Sequence, residues 1–161
     1  MSIKIPKLIL SIGLCLGAGV LGSIFTTQAP PAGGLTWYTT LNKPFFSPPN
    51  WVFGPVWTVL YILMGVALYL VISDKGKVIR EKAIQIFAIQ LVLNVAWSVI
   101  FFGFQNPVLA LVDIAALWIA IFLTIKSFSK INKLAGNLLI PYLLWVSFAT
   151  ILNLSIVILN P

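Results

Sequence analysis

The sequence predicts an all-α integral membrane protein, a five-helix transmembrane bundle forming one domain over residues 1–161, and three observations lead there. Hydrophobic residues make up 60% of the chain and charged residues 8%, with a mean hydropathy of +1.07. Such a chain lacks the polar surface that a soluble globule shows to water. Five apolar runs of roughly 20 residues, each long enough to cross a ~30 Å hydrocarbon core, fall at about 8–27, 51–73, 83–103, 107–125 and 134–159. The basic residues sort by side: Lys4 and Lys7 precede the first run, Lys75, Lys77, Arg80 and Lys82 separate the second from the third, and Lys126, Lys130 and Lys133 separate the fourth from the fifth. In a five-span chain those segments share one side, and only Lys43 falls on the other. Positive residues mark the cytoplasmic face, which predicts a cytoplasmic N-terminus and an external C-terminus. Orientation thus accounts for the net charge of +7, and no nucleic-acid partner is expected.

The first run carries Gly13, Gly17, Ala18 and Gly22, a small-residue spacing that lets helices approach closely in lipid. It is expected to pack within the monomer and to add nothing polar or aromatic to a pocket. Although two lysines precede it, the run is too long for the apolar core of a signal peptide, so it is read as a retained helix. Its Cys15 is the only cysteine, which excludes an internal disulfide.

Residues 28–50 hold Pro30, Pro31, Gly33, Gly34, Pro44, Pro48 and Pro49 and cannot continue as one helix. Long connections of this kind are often functional lids. Trp37, Tyr38, Phe45 and Phe46 give this one enough ring surface to rest on the helix ends, although an interfacial aromatic belt reads the same residues differently.

In the second run Trp57, Tyr61, Gly65 and Leu68 recur at steps of three and four and share a helix face. Gln90, Asn94, Trp97, Ser98 and Phe101 do so in the third, and Tyr142, Trp145, Ala149 and Asn153 in the fifth. For Gln90 and Asn153 the spacing suggests interhelical hydrogen bonds. For Trp57, Asn94, Trp97 and Trp145 it suggests a ligand cavity, with ring walls and a few placed polar groups. Asp113 is the only acid within a predicted span; its burial is costly, and two readings stay open, a helix-packing contact or a polar anchor behind the pocket, hydrogen-bonded to Trp and Tyr donors.

The chain has no histidine, which removes histidine-based metal sites, His-assisted nucleophiles and the histidine haem ligand. No catalytic residue and no metal ligand is assigned. So few charges within the spans also leave little with which to build proton- or ion-coupled pumping.

Motifs in order add a resemblance. They are Trp37-Tyr38, Lys43-Pro44-Phe45-Phe46-Ser47-Pro48-Pro49, Phe53-Gly54-Pro55-Val56-Trp57-Thr58, Leu60-Tyr61 with Met64-Gly65, Gln90-Leu91-Val92-Leu93-Asn94 with Trp97-Ser98, and Pro141-Tyr142-Leu143-Leu144-Trp145 with Phe148-Ala149-Thr150 and Leu152-Asn153. From Trp37 onward the chain resembles the translocator protein family, TspO/MBR, once called peripheral-type benzodiazepine receptors. The resemblance implies a five-helix bundle binding porphyrins and other tetrapyrroles, with Tyr38, Trp57, Asn94, Trp97, Ser98, Trp145 and Ala149 at the pocket. Tyr61, from the helix-two stripe, and Phe148, from the last motif, are placed with them.

The expected function is therefore that of a membrane receptor or carrier with a porphyrin, protoporphyrin IX or haem, as ligand and no obligatory cofactor. A small transporter of hydrophobic compounds is the alternative. The resemblance also implies homodimers, and for some bacterial members a disputed light-dependent porphyrin breakdown; an enzyme is not expected here. Residues 152–161 lack the Tyr and basic residue of the sterol-recognition pattern of animal members. High-affinity sterol binding is not expected, and a bacterial plasma membrane is.

Overall fold

A computed structural model describes residues 4–26, 37–74 and 77–161. Five of its helical segments are long and apolar enough to cross a membrane, and the protein is an all-helical integral membrane protein. The helices are α1 (Ile5–Thr26), α2 (Trp37–Thr40), α3 (Asn50–Ile72), α4 (Lys77–Ser98), α5 (Pro107–Ile131), α6 (Lys133–Asn137) and α7 (Ile140–Leu159). α6 and α7 together make the fifth span.

Two helices outrun their apolar stretches. α4 begins at Lys77 rather than near residue 83, and α5 continues to Ile131 rather than stopping near 125. Lys, Arg and Glu are good helix formers, so a helix extends past its apolar part when its end reaches the interface. Lys126 there lays its ammonium 4.6 Å from the Phe122 ring centre. The expected basic connection after α5 shrinks to Asn132, which ends α5 and caps α6 by accepting from the Leu134 and Ala135 amides at 2.9 and 3.2 Å. Between α4 and α5 the expected tight turn is present. Gln105 adopts φ 52°, Asn106 accepts from the Leu109 amide at 2.9 Å, and Pro107 opens α5, where a missing amide costs nothing.

Before that turn α4 widens into a π-helical segment over Val99–Gly103, closed by the Phe104 amide donating to the Val99 carbonyl five residues back at 2.9 Å. Such turns interrupt α-helices frequently at functional sites.

Around the bundle α1 lies between α3 and α4, and α5 lies between α4 and α7. A ring of five spans must also close between α3 and the last span. The α6 end does this by packing on α3, whereas α7 does not run closely along it. The chain turns at Leu138 and Leu139, and beyond that point rings fill the seam: Trp57 against Tyr142 at 6.1 Å and Phe53 against Trp145 at 5.8 Å.

The larger core lies toward the end opposite residues 37–50, where Met64, Phe87, Leu117, Ile121, Phe128 and Tyr142 are buried, with Phe87 stacked on Phe128. A smaller cluster, Phe101, Ala110, Leu152 and Ile156, lies under residues 37–46.

The glycines of α1 do not act as expected. Gly13 and Gly17 are exposed, with open space where a Cβ would stand, while Gly22 faces Ser98 and Gly19 faces Tyr61. Close helix approach comes from α3 instead, where a Cβ on Gly65 would stand 2.5 Å from the Ile12 Cα. The inward face of α1 is therefore Ser11, Cys15, Gly19 and Gly22, a face that includes only one of the small residues expected to pack.

Candidate functional site

A cavity of about 330 Å³ lies between α1, α3, α4 and α7 beneath residues 37–46, at the small end of the range for ligand sites. Its floor is polar. Tyr61, on the inward face of α3, donates its hydroxyl to Asn94 Oδ1, and Asn94 Nδ2 donates to the Tyr142 hydroxyl at 2.9 Å. All three side chains are buried, so the chain of bonds satisfies an amide and two phenols that would otherwise be costly in this environment. Tyr61 fits only because Gly19 has no side chain: a Cβ there would stand 2.5 Å from Tyr61 Cε2.

One wall is Trp97, whose indole donates to Asn153 Oδ1 at 3.1 Å while Asn153 Nδ2 donates to the Pro107 carbonyl at 2.9 Å. This ties α4, α5 and α7 together, the interhelical role expected of Asn153. Gln90 reaches only the Met64 sulfur, at 3.9 Å, and its Oε1 has no partner among the described residues. The opposite wall is Trp57, 5.6 Å from Tyr61 and 31° from parallel to it. Trp145 completes it from α7. Its Nε1 is buried without a partner among the described residues.

The roof is the stretch 37–46. Trp37 and Tyr38 set their rings on the π-helical turn, Trp37 5.6 Å from Phe101 and Tyr38 5.6 Å from Phe102. Lys43 Nζ lies 4.3 Å above the Tyr38 ring. At the far edge Asn160 takes the Asn42 amide at 2.9 Å and donates to the Asn42 carbonyl at 3.0 Å. Burial raises the Tyr38 phenol above its usual range, against a lowering by the Ser47 side chain. The part of the expected lid before Trp37, with Pro30, Pro31, Gly33 and Gly34, lies outside the described residues.

Of the residues singled out in the sequence, Tyr38, Trp57, Tyr61, Asn94, Trp97, Ser98, Trp145 and Ala149 line this one cavity. Phe148 does not. It lies in an outer groove between α3 and α7 and packs on Trp145 and Phe46 at 5.6 and 6.3 Å. Asp113 sits on α5, which gives the cavity no side chain, and its Oδ2 is buried without a partner among the described residues. Of the aromatic donors expected for it, Trp118 is engaged elsewhere, donating to Ser147 at 2.8 Å.

Leu16, Gly19, Gly22 and Ser23 of α1 also line the cavity, against the expectation that this helix offers no pocket face. A wall made largely by missing side chains carries little polar or aromatic signal, and Ser23 and Thr26, four and seven residues from Gly19, were the available hints. Cys15 and Met64 are buried but do not line this cavity. Among the described residues no cluster of three His, Cys, Asp or Glu that could hold a metal occurs, and no carboxylate, lysine or arginine lines the cavity. The site offers ring faces, two amides and a few hydroxyls, which suits recognition of a flat apolar body with polar edges.

Comparison with known proteins agrees with the motifs. The family model described as TspO/MBR family matches residues 11–159. The chain is 49% identical to "Tryptophan-rich protein TspO" of Chlorobaculum tepidum, over 100% of both chains. It is 47% identical to the protein of the same name from Archaeoglobus fulgidus, over 98% of this chain and 99% of the relative. To "Translocator protein" of Homo sapiens it is 40% identical, over 92% of this chain and 88% of the relative.

Proposed function

The chain belongs to the TspO/MBR family, and from that premise we propose that it is a membrane receptor or carrier that binds porphyrins or related tetrapyrroles in the cavity beneath residues 37–46. The observation that carries the reading is the meeting of Trp57, Trp97 and Trp145, from three different spans, around a floor whose polar groups are already paired. Ring faces recognise a flat macrocycle without demanding a hydrogen bond, and a paired floor does not penalise an apolar guest. The macrocycle's carboxylates then lie toward the roof, near Lys43 and the lid amides.

Binding rather than catalysis is the proposed activity, because the cavity wall has no general acid or base of ordinary strength. The relatives' printed names, TspO and translocator protein, are not names of enzymes. The position of Lys43 at the roof end, against nine basic residues elsewhere, supports an N-terminus in the cytoplasm and a roof on the other side of the membrane. The family resemblance supports a homodimer.

Titration with protoporphyrin, followed by tryptophan quenching, tests the reading. Saturable quenching is expected, and strictly linear quenching overturns it. Net porphyrin flux across proteoliposomes separates a carrier from a receptor.

A further inference from the structure

The seam between α3 and α7 holds a second space, a groove of about 590 Å³ on the outer surface of the bundle. Its lining is apolar throughout, from Pro55 and Val59 on one side to Pro141, Leu144 and Phe148 on the other. Val59 and Leu144 are 55% and 65% exposed, and in a membrane that exposure is to hydrocarbon. One residue belongs to both spaces. Trp145 lines the groove and also the inner cavity, so its indole is the partition between lipid and pocket.

Three features make this partition movable. The indole Nε1 of Trp145 has no hydrogen-bond partner among the described residues, whereas Trp97 and Trp118 are pinned to Asn153 and Ser147. Packing alone holds Trp145 in place. Both flanking helices are interrupted beside it: Pro55 lies inside α3 and removes one backbone bond, and Pro141 follows the turn that separates α6 from α7. Finally, α3 and α7 do not pack along one another here; the contacts are between rings, which can shift without separating two helices.

We propose that the groove between α3 and α7 is a lateral entry site that takes a flat apolar macrocycle dissolved in the bilayer and passes it to the inner cavity when the Trp145 indole swings aside. This rests on the binding reading above. A ligand of that class partitions into hydrocarbon, and the groove is where the wall between hydrocarbon and pocket is one side chain thick. The roof, held by Asn160 and by edge-on and tilted ring contacts, covers the pocket without being the route in.

A change confined to the route alters entry and exit equally and leaves the equilibrium affinity unchanged. The test uses the full chain in proteoliposomes, with protoporphyrin IX delivered from preloaded liposomes and quenching followed in time. Val59→Phe with Leu144→Phe fills the groove from the lipid side and replaces no residue that lines the inner cavity. Entry and exit are expected to slow at least fivefold, with the equilibrium midpoint unchanged within twofold; that midpoint also reports that the variant is folded. Val59→Ala with Leu144→Ala is expected to speed both. Asn160→Ala, which frees the roof, is expected to leave the entry rate unchanged. Wild-type kinetics in both groove variants, or faster entry in Asn160→Ala with no effect of filling, overturns the lateral route while leaving pocket binding intact. Absence of saturable binding in the wild type instead overturns the pocket reading, and the route with it.

Discussion

Asn160, one residue past the end of α7, holds the backbone of Asn42 from both sides: its side-chain oxygen accepts the Asn42 amide and its nitrogen donates to the Asn42 carbonyl. A side-chain amide here does what a neighbouring strand does for a peptide unit, and it fastens the roof 118 residues away in sequence.

Removing that clasp should loosen the roof without unfolding the bundle. Two hydrogen bonds of about 1 kcal/mol each, reduced by exposure to solvent, predict a roughly tenfold rise in amide exchange across residues 38–46 in Asn160→Ala. Exchange in α3 and α5 should not change, and hydrogen-exchange mass spectrometry reads both at once.

The ring walls should carry binding. Trp57→Ala or Trp145→Ala is expected to weaken protoporphyrin binding by several-fold or more, from stacking worth about 0.5 to 1.5 kcal/mol beyond burial at 1.4 kcal/mol per tenfold. Circular dichroism should show the helices intact, and wild-type affinity in both variants places the ligand elsewhere.

The polar floor should matter for stability. Asn94→Leu leaves the Tyr61 and Tyr142 hydroxyls without the amide that joins them, an expected loss of about 1 to 3 kcal/mol per stranded group. Gly19→Ala attacks the same network sterically, because the added methyl displaces the Tyr61 ring. Thermal unfolding in detergent should rank Asn94→Leu and Gly19→Ala below wild type, and Tyr61→Phe, which keeps the ring, between them and wild type.

Recognition should be indifferent to metal. With no histidine in the chain, and with Cys15 and Met64 away from the cavity wall, metal-free protoporphyrin is expected to bind within about tenfold of haemin, a gap of about 1.4 kcal/mol. The haemin spectrum should not be that of a bis-ligated low-spin iron. A much tighter haemin complex that loses its advantage in Cys15→Ser contradicts this.

Orientation is testable with cysteine reporters at Phe45 and Lys130, both exposed and at opposite ends of the bundle. An impermeant maleimide on intact cells should label Phe45→Cys only; equal labelling of both overturns the assignment.

Much of this architecture was legible because it is written in periodicity. Trp57 and Tyr61, or Asn94, Trp97 and Ser98, share a helix face by spacing alone, and a face that mixes amides with rings inside lipid points inward. Phe148 shows where spacing runs out. At about 100° per residue, Ala149 and Phe148 fall on opposite flanks of Trp145, one toward the cavity and the other toward the groove. Only the path of α7 beyond Leu139 decides which flank is which. The wall from α1 was invisible for a different reason, since glycines shape a cavity by what they lack. Asp113 advertised itself by charge, yet α5, which carries it, gives the cavity no side chain.

The π-helical turn at Val99–Gly103 bears on how this chain tolerates change in length. A wide turn holds the equivalent of one inserted residue, so α4 has slack that the other spans lack. Deleting one residue there leaves a continuous α-helix, but it also rotates the downstream ring by about a third of a turn relative to its neighbours. Phe101 and Phe102 then no longer both face the roof, and Trp37 and Tyr38 lose their paired seat. A relative one residue shorter at this point should therefore fold as a five-span bundle and anchor its roof on different rings.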